Sequence, residues 1–270
     1  MPELPEVEVC RLGILPHIIN QQVSAVSVRN AKLRWPIPDE VKNLVGETVI
    51  SIDRRSKYLL IQFNTGTLLL HLGMSGTVRI VDSSVVVKKH DHFDLAFSHG
   101  KVLRLNDPRR FGAVLWFAEH IDEQGLLAKL GPEPLTDDFA AGYLFNKAKN
   151  RKVAIKTFLM NNHIVVGVGN IYANEALFKA GILPTTAVGK ITKKRLDKLT
   201  IIIKDVLAAA IEQGGTTLKD FTQSDGKPGY FAQELMVYGR AGLPCLQCKT
   251  PLEEIRQAGR SSVFCSECQQ

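Results

Sequence analysis

The chain has no apolar run near the roughly 20 residues that a membrane helix requires, and none of its 270 residues forms a repeat or a low-complexity tract. Its first residues carry no basic segment followed by an apolar one, so they do not read as a secretion signal. Cysteine is nearly absent before position 245: Cys10 alone precedes the final cluster. That scarcity excludes a disulfide scaffold and fits a cytoplasmic protein. What remains is an ordinary soluble composition, 45% hydrophobic and 23% charged, in a chain long enough for two domains. Net charge is +7 and the isoelectric point near 9.1, which favours a polyanionic partner.

Four cysteines crowd the last 26 residues as Cys245-x2-Cys248, 16 residues, and Cys265-x2-Cys268. Two such knuckles on a short hairpin bring four thiolates to the corners of a tetrahedron, as in a closed structural zinc site. Four protein ligands leave no open position, so this metal is structural. Cys10 lies on a helical face with Val7, Ile14, Leu15 and Ile18, and reads as a small buried hydrophobe.

Between that first helix, over residues 3–19, and position 117 lie eight short runs with strand character: Val23–Val28, Thr48–Ile52, Tyr58–Phe63, Leu68–Leu72, Thr77–Val81, Phe93–Phe97, Val102–Leu105 and Ala113–Phe117. Turn signals such as Asn64-Thr65-Gly66 separate them. Their number and spacing predict an antiparallel sandwich or barrel. Leu130-Gly131-Pro132-Glu133-Pro134-Leu135 reads as a linker. The second half is mostly helical. Asn170 is placed as the cap of a helix ended by Gly181, and Thr192 as the cap of a longer one. Residues 224–229 are rich in turn formers and read as a mobile loop.

Chemistry concentrates at the start, Met1-Pro2-Glu3-Leu4-Pro5-Glu6. Removal of Met1 exposes a secondary amine at Pro2. Such an amine titrates near pH ~8 and is nucleophilic at neutral pH. Attack on a sugar carbon gives an iminium ion, cationic without an added proton. Glu3 is next to it and can move protons. By themselves, both prolines also fit a plain helix start.

Lys147, Lys149, Arg151, Lys152 and Lys156 precede the turn Gly167-Val168-Gly169 and Asn170. A basic cluster beside a helix N-terminus reads as a clamp on a nucleic-acid backbone, although a solvated basic helix fits as well. Met74, Arg109 and Phe111 sit in loops between strands, placed to wedge into a base stack, although Met74 by itself fits a core position at a strand end as well. Lys57, in Arg54-Arg55-Ser56-Lys57, suits a phosphate contact or ordinary surface charge.

In order, PELPEVE, RRSKYLL, HLGMSG, KHDHFDL, NDPRRFG, VVGVGNIYANEALF and the terminal CxxC-x16-CxxC resemble the motifs of bacterial formamidopyrimidine-DNA glycosylases across essentially the whole chain. The resemblance implies an α+β fold. A β-sandwich with flanking helices would fill residues 1–131, a helix–two-turns–helix domain 136–224, and a zinc finger 236–270. It implies a glycosylase and lyase acting on double-stranded DNA with a damaged base, typically 8-oxoguanine or a formamidopyrimidine. Such an enzyme would be a monomer with one structural zinc, associated with the bacterial nucleoid.

Residue by residue, the resemblance makes Pro2 the nucleophile and Glu3 the acid–base. Lys57 would touch phosphate and assist elimination. Met74, Arg109 and Phe111 would fill the void, with Arg109 facing the orphaned cytosine. His90, Arg151 and Asn170 would bind backbone phosphate, and Arg260 the phosphate at the cut site. Residues 216–230 would be a lesion-capping loop. Two alternatives stand beside this reading: an endonuclease VIII-like enzyme for oxidised pyrimidines, and a non-enzymatic zinc-ribbon nucleic-acid-binding protein. Leu4 and the DPRRF loop favour the purine enzyme, and the intact Pro2-Glu3 pair disfavours a pure binder.

Overall fold

The computed structural model describes residues 2–118, 125–214 and 235–270. These fall into two compact units, one of residues 2–118, 125–128 and 213–214, the other of 129–212 and 235–270. Both the turn-rich segment 224–229 and the whole lesion-capping loop expected at 216–230 lie outside the described residues, as does Met1.

In the first unit, helix α1 (Leu4–Ile18) precedes eight strands: β1 (Val23–Val28), β2 (Ser51–Arg55), β3 (Tyr58–Phe63), β4 (Gly66–His71), β5 (Thr77–Asp82), β6 (Asp91–Phe97), β7 (Lys101–Asn106) and β8 (Ala113–Phe117). They form two four-stranded antiparallel sheets, ordered β1-β6-β7-β5 and β2-β3-β4-β8. One core joins them: Leu59 and Ile61 from one sheet and Phe93, Leu95 and Leu103 from the other pack with Val7, Cys10, Ile14 and Ile18 of α1. Each large apolar side chain buried in this way stabilises the fold by about 1.5–3 kcal/mol. Cys10 is thus the buried hydrophobe that its spacing suggests. A short helix α2 (Gly125–Ala128) ends the unit.

The second strand starts later than the expected Thr48–Ile52. Residues 47–49 bond instead to the start of β1 and the residues just before it: the Val23 N–H donates to the Glu47 carbonyl (2.8 Å), and the Val49 N–H to the Gln21 carbonyl (3.1 Å). Only from Ile50 onward does the chain reach β3. The apolar run is real, but its first half serves a crossing between partners, which periodicity does not reveal.

The second unit holds α3 (Tyr143–Ala148), α4 (Ile155–Leu159), α5 (Asn170–Ala180), α6 (Lys193–Glu212) and a hairpin of β9 (Glu253–Gln257) and β10 (Arg260–Phe264). Helix α5 lies centrally, packed on α4, α6 and β10. It ends at Gly181 in the left-handed region, as expected. The Thr192 hydroxyl accepts from the Arg195 N–H at the start of α6 (3.4 Å). Val237, Leu252 and Val263 of the cysteine-bearing module pack with Phe178 of α5.

Two expectations need correction. The stretch 130–135 is not a free tether: the Gly131 N–H donates to the Asn162 carbonyl (2.7 Å), and the Pro132 carbonyl accepts from Val166. Asn170 is the first residue of α5 and Gly169 is its cap. The extended backbone needed at that cap is met at Gly169, one residue earlier than side-chain preference suggested.

Candidate active site and nucleic-acid surface

Pro2 and Glu3 are both buried, Glu3 to 1% exposure and Glu6 to 0%. Glu3 is the cap of α1. Its N–H donates to Glu6 Oε2 (2.8 Å), and its own carboxylate accepts from the Glu6 N–H. This reciprocal pair is a capping box with glutamate in the place usually taken by serine or threonine. It holds the carboxylate that adjoins Pro2 in one orientation, using the first turn's unpaired donors.

One turn further on, Glu8 joins α1 to the β2–β3 hairpin. Its carboxylate takes Arg11 (2.7 Å) and Arg54 Nε (2.9 Å), and Arg54 also donates to the Ser56 carbonyl (3.0 Å). Burial acts to raise the Glu8 carboxyl, but its hydrogen bonds and ion pairs with both arginines outweigh that and hold it below its ordinary value. Ser56 and Lys57 are the two loop residues between the paired Arg55 and Tyr58. Ser56 is buried with φ +57°, a region costly to most non-glycine residues. The half-buried Lys57 therefore stands on a tip tied to α1. Sequence reading found Lys57 and missed its anchor, since Glu8 and Arg54 are 46 residues apart.

Met74 and Phe111 are 38% and 46% exposed on two abutting loops. Gly73 has φ +63°, and a side chain there would meet the Phe111 backbone at 2.4 Å. The neighbouring His71 Nδ1 accepts from the Gly73 N–H (3.1 Å), so the other ring nitrogen carries the proton. Burial, with the positive charges of Arg34 and Lys57 adding, pushes the His71 imidazole down to about 4. On the second loop the Arg109 guanidinium lies 4.9 Å from the Phe111 ring centre. Asp107, fully buried, closes that loop: Oδ2 accepts from the Gly112 N–H (2.7 Å), and its own N–H donates to the His90 carbonyl (2.9 Å). His90 is half-buried beside His92, their ring centres 6.0 Å apart. His71 and Asp107 went unnoticed in the sequence because each acts on backbone, which leaves no pattern of residue types.

In the second unit Lys147, Lys149, Arg151 and Lys152 are exposed near α3 and α4. Lys156 does not belong with them. It is 1% exposed, and its Nζ donates to the Ser261 carbonyl and to Ser262 Oγ (2.7 Å) on β10. Asn170 opens α5 with its Oδ1 buried and unpartnered. Asn174, one turn on, accepts from the Val263 N–H (3.0 Å). Lys156 and Asn174 thus fasten the strand that Arg260 begins. Arg260 is exposed and follows the tip Ala258-Gly259, where φ of +47° and +75° match a type I′ hairpin turn. Glu175, nearly buried, accepts from the N–H groups of Met236, Val237 and Tyr238 at 2.8–3.0 Å and fixes the entry to the hairpin module.

The sulfurs of Cys245, Cys248, Cys265 and Cys268 all lie within 4.8 Å of one another. Cys248 and Cys265 are 3.4 Å apart, and Cys245 and Cys268 3.9 Å. Tetrahedral zinc with bonds of ~2.3 Å sets its sulfurs about 3.8 Å apart. The set fits one structural zinc.

A model of the formamidopyrimidine-DNA glycosylase N-terminal domain matches residues 1–114, that of the H2TH domain of the same proteins matches 130–222, and a zinc finger found in FPG and IleRS matches 242–270. The formamidopyrimidine-DNA glycosylase of Colwellia psychrerythraea (strain 34H) is 73% identical over 270 residues, covering 100% of each chain. That of Shewanella woodyi is 59% identical, covering 100% of this chain and 99% of its own. The crystal structure of the MutM (Fpg) protein from Thermus thermophilus superposes with a TM-score of 0.89 at 36% identity, covering 99% and 98%. A Lactococcus lactis Fpg in complex with DNA containing an abasic site gives 0.90 at 31% identity, covering 99% of each chain. The chain belongs to the formamidopyrimidine-DNA glycosylase family. Among the described residues no helix is long and apolar enough to cross a membrane.

Proposed function

We propose that the protein is a bifunctional DNA glycosylase and abasic-site lyase of base excision repair, removing 8-oxoguanine and formamidopyrimidines from double-stranded DNA. The damaged nucleotide is flipped out of the stack. With Met1 removed, the Pro2 nitrogen attacks C1′ of its sugar. The glycosidic bond breaks, and the base leaves with a proton that Glu3 supplies. The nitrogen loses its proton, the C1′–O4′ bond of the sugar ring opens with O4′ taking up a proton, and Pro2 and C1′ are left joined as an iminium ion, which acidifies the C2′ hydrogen. Loss of that proton expels the 3′ phosphate, and a second elimination expels the 5′ phosphate.

The observation that carries this reading is the buried Glu3, held by its reciprocal cap with Glu6 directly after Pro2. Lys57 contacts phosphate and assists elimination. Met74, Arg109 and Phe111 occupy the vacated space, with Arg109 towards the orphaned base. His90, Arg151 and Asn170 hold backbone phosphates, and Arg260 grips the phosphate at the cut. Residues 1–131 are the catalytic domain, 136–224 the helical DNA-binding domain, and 236–270 the zinc finger, whose metal keeps the Arg260 hairpin rigid. One chain carries every group the reaction calls for, so it works as a monomer, in the bacterial cytoplasm where the DNA lies.

Borohydride reduces an iminium to a stable amine. Incubation with an 8-oxoguanine duplex and borohydride should therefore link the DNA to Pro2. An adduct on Lys57 or another lysine would overturn the nucleophile. Glu3→Gln should lower base excision by at least the ~10²-fold typical of a lost general acid–base group.

A further inference from the structure

His90 precedes β6 and the Arg109–Phe111 loop follows β7, yet one buried carboxylate reaches both segments. Asp91, next to His90, has no side-chain exposure. Its Oδ2 accepts from the Lys88 N–H (2.7 Å), and its own N–H donates to the Lys88 carbonyl (3.0 Å). These two bonds close a tight turn with His90 as an inner residue. Its Oδ1 accepts from Asn106 Nδ2 (2.8 Å), at the end of β7 and directly before the loop. Arg79 of β5 bonds the same oxygen (3.1 Å), and Arg104 of β7 lies 3.8 Å from the other. The two segments meet again through Asp107, whose N–H donates to the His90 carbonyl (2.9 Å) and whose carbonyl accepts from His92 Nε2 (3.0 Å).

We propose that Asp91 is a positioning residue: it sets the His90 imidazole and the Arg109–Phe111 loop at a fixed separation, so that a phosphate held by the first brings the second to the vacated space. This inference rests on the DNA-repair reading above. A carboxylate suits the place because it only accepts, and its two oxygens take donors from β5, the turn and β7 together. Asparagine has one accepting oxygen and sets its own N–H groups against one of those donors, so the turn or Asn106 comes loose. Arg79 and Arg104 compensate the buried charge; Lys88 and Asn106 carry its effect to the site.

Asp91→Asn should lower the thermal midpoint, as the loss of any buried pair does. The deciding quantity is the lesion preference: affinity for an abasic-analogue duplex divided by affinity for the intact duplex, per folded molecule. Unfolding removes both affinities alike and leaves this ratio unchanged. A displaced loop lowers it, because the loop acts only where a base has left the stack. In Asp91→Asn the ratio should fall at least about tenfold, within the ~10²-fold that a misplacement of 1 Å can cost. Asp94→Asn is the matched control. Asp94 is a buried carboxylate of the same cluster, paired with Arg29 (2.5 Å) and Arg104 (2.9 Å). Its loss should lower the midpoint as well, yet keep the ratio within about twofold, the scatter of independent sites. Duplexes each carrying one neutral methylphosphonate test the other half. The position that weakens the wild type but not His90→Ala marks the His90 phosphate, and Asp91→Asn should be insensitive there too.

If Asp91→Asn does not fold, Asn106→Ala takes its place. It removes one hydrogen bond, so the ratio should fall about three- to tenfold. In a Phe111→Ala background it should fall no further, since both changes act through one loop. Four results would overturn the proposal: an unchanged ratio in Asp91→Asn or Asn106→Ala, an equal loss in Asp94→Asn, multiplied losses in the double variant, or no methylphosphonate position shared by His90→Ala and Asp91→Asn. Borohydride trapping of the wild type separates the two failures. If the wild type traps while the variants keep its lesion preference, only the role of Asp91 falls; if it does not trap at all, the repair reading falls first.

Discussion

At the scale of single residues, the acidic and basic groups that surround the chemistry are held by geometry rather than by charge alone. His71 stays neutral because protonation would cost burial and would face Arg34 and Lys57. The unfolded chain binds a proton near pH 6.5 and the folded chain does not, so stability falls as pH drops from 6.5 to about 4. The loss is up to about 3 kcal/mol. His71→Gln should flatten that window in urea titrations run between pH 4 and 7. Glu8 acts lower down: its depressed carboxyl stabilises the fold above its ordinary 4.5, and that contribution disappears as pH falls further. Glu8→Gln should therefore lose stability at pH 7 and lose less of it on acidification.

Lys156 is the other residue whose role the structure rewrites. Removing its bonds to Ser261 and Ser262 should shift the start of β10 and with it Arg260. Misplacement of a positioned group by about 1 Å can cost on the order of 10²-fold in rate. Lys156→Met should keep its zinc and its fold, yet cleave an 8-oxoguanine duplex as poorly as Arg260→Ala. The double variant should be no worse than Arg260→Ala alone, since both changes break one device. Additive losses would mean that Lys156 acts elsewhere.

At the scale of elements, the β9–β10 hairpin has two strands and little core of its own. Two-stranded hairpins are marginal in water. Its rigidity comes from the metal on one side, and on the other from α5, through Phe178, Asn174 and Glu175. Cys265→Ser should lose zinc in metal analysis and lose duplex binding, while the melting of the first unit, which has its own core, persists. Helix α1 shows the same economy. Its cap is Glu3, next to the proposed nucleophile Pro2, and its buried stripe, Val7 and Ile14 included, packs in the core of the sandwich.

For the whole molecule, the charge of +7 supplies an attraction to DNA that ignores sequence and damage alike. Discrimination must come from groups that act only when a base has left the stack. Arg151→Ala should flatten the salt slope by roughly one unit on damaged and undamaged duplex equally. Arg109→Ala should weaken binding to lesion-bearing duplex more than to intact duplex. Titration of both variants against both duplexes over a range of salt separates the roles; identical behaviour would show that Arg109 is a plain backbone contact.

The sequence alone determined what depends on residue type and short spacing. Eight runs of β-branched and apolar residues made the two sheets, with β1, β3 and β8 falling where their runs fall. Two CxxC knuckles brought four sulfurs together, and Pro2-Glu3 stood out because only the chain start can offer a secondary amine. The tertiary structure decided what depends on partners far apart in the chain. It divided residues 47–55 between a crossing and β2, because the sandwich needs a passage between sheets. It turned Lys156 inward while its basic neighbours stayed in water, because a carbonyl and a hydroxyl on β10 accept from it across 105 and 106 residues of chain. It tied the loop that carries Lys57 to α1 through Glu8 and Arg54. Hydrogen bonding is short-ranged and indifferent to chain separation, so these pairings carry no periodicity and become visible only once the backbone has folded.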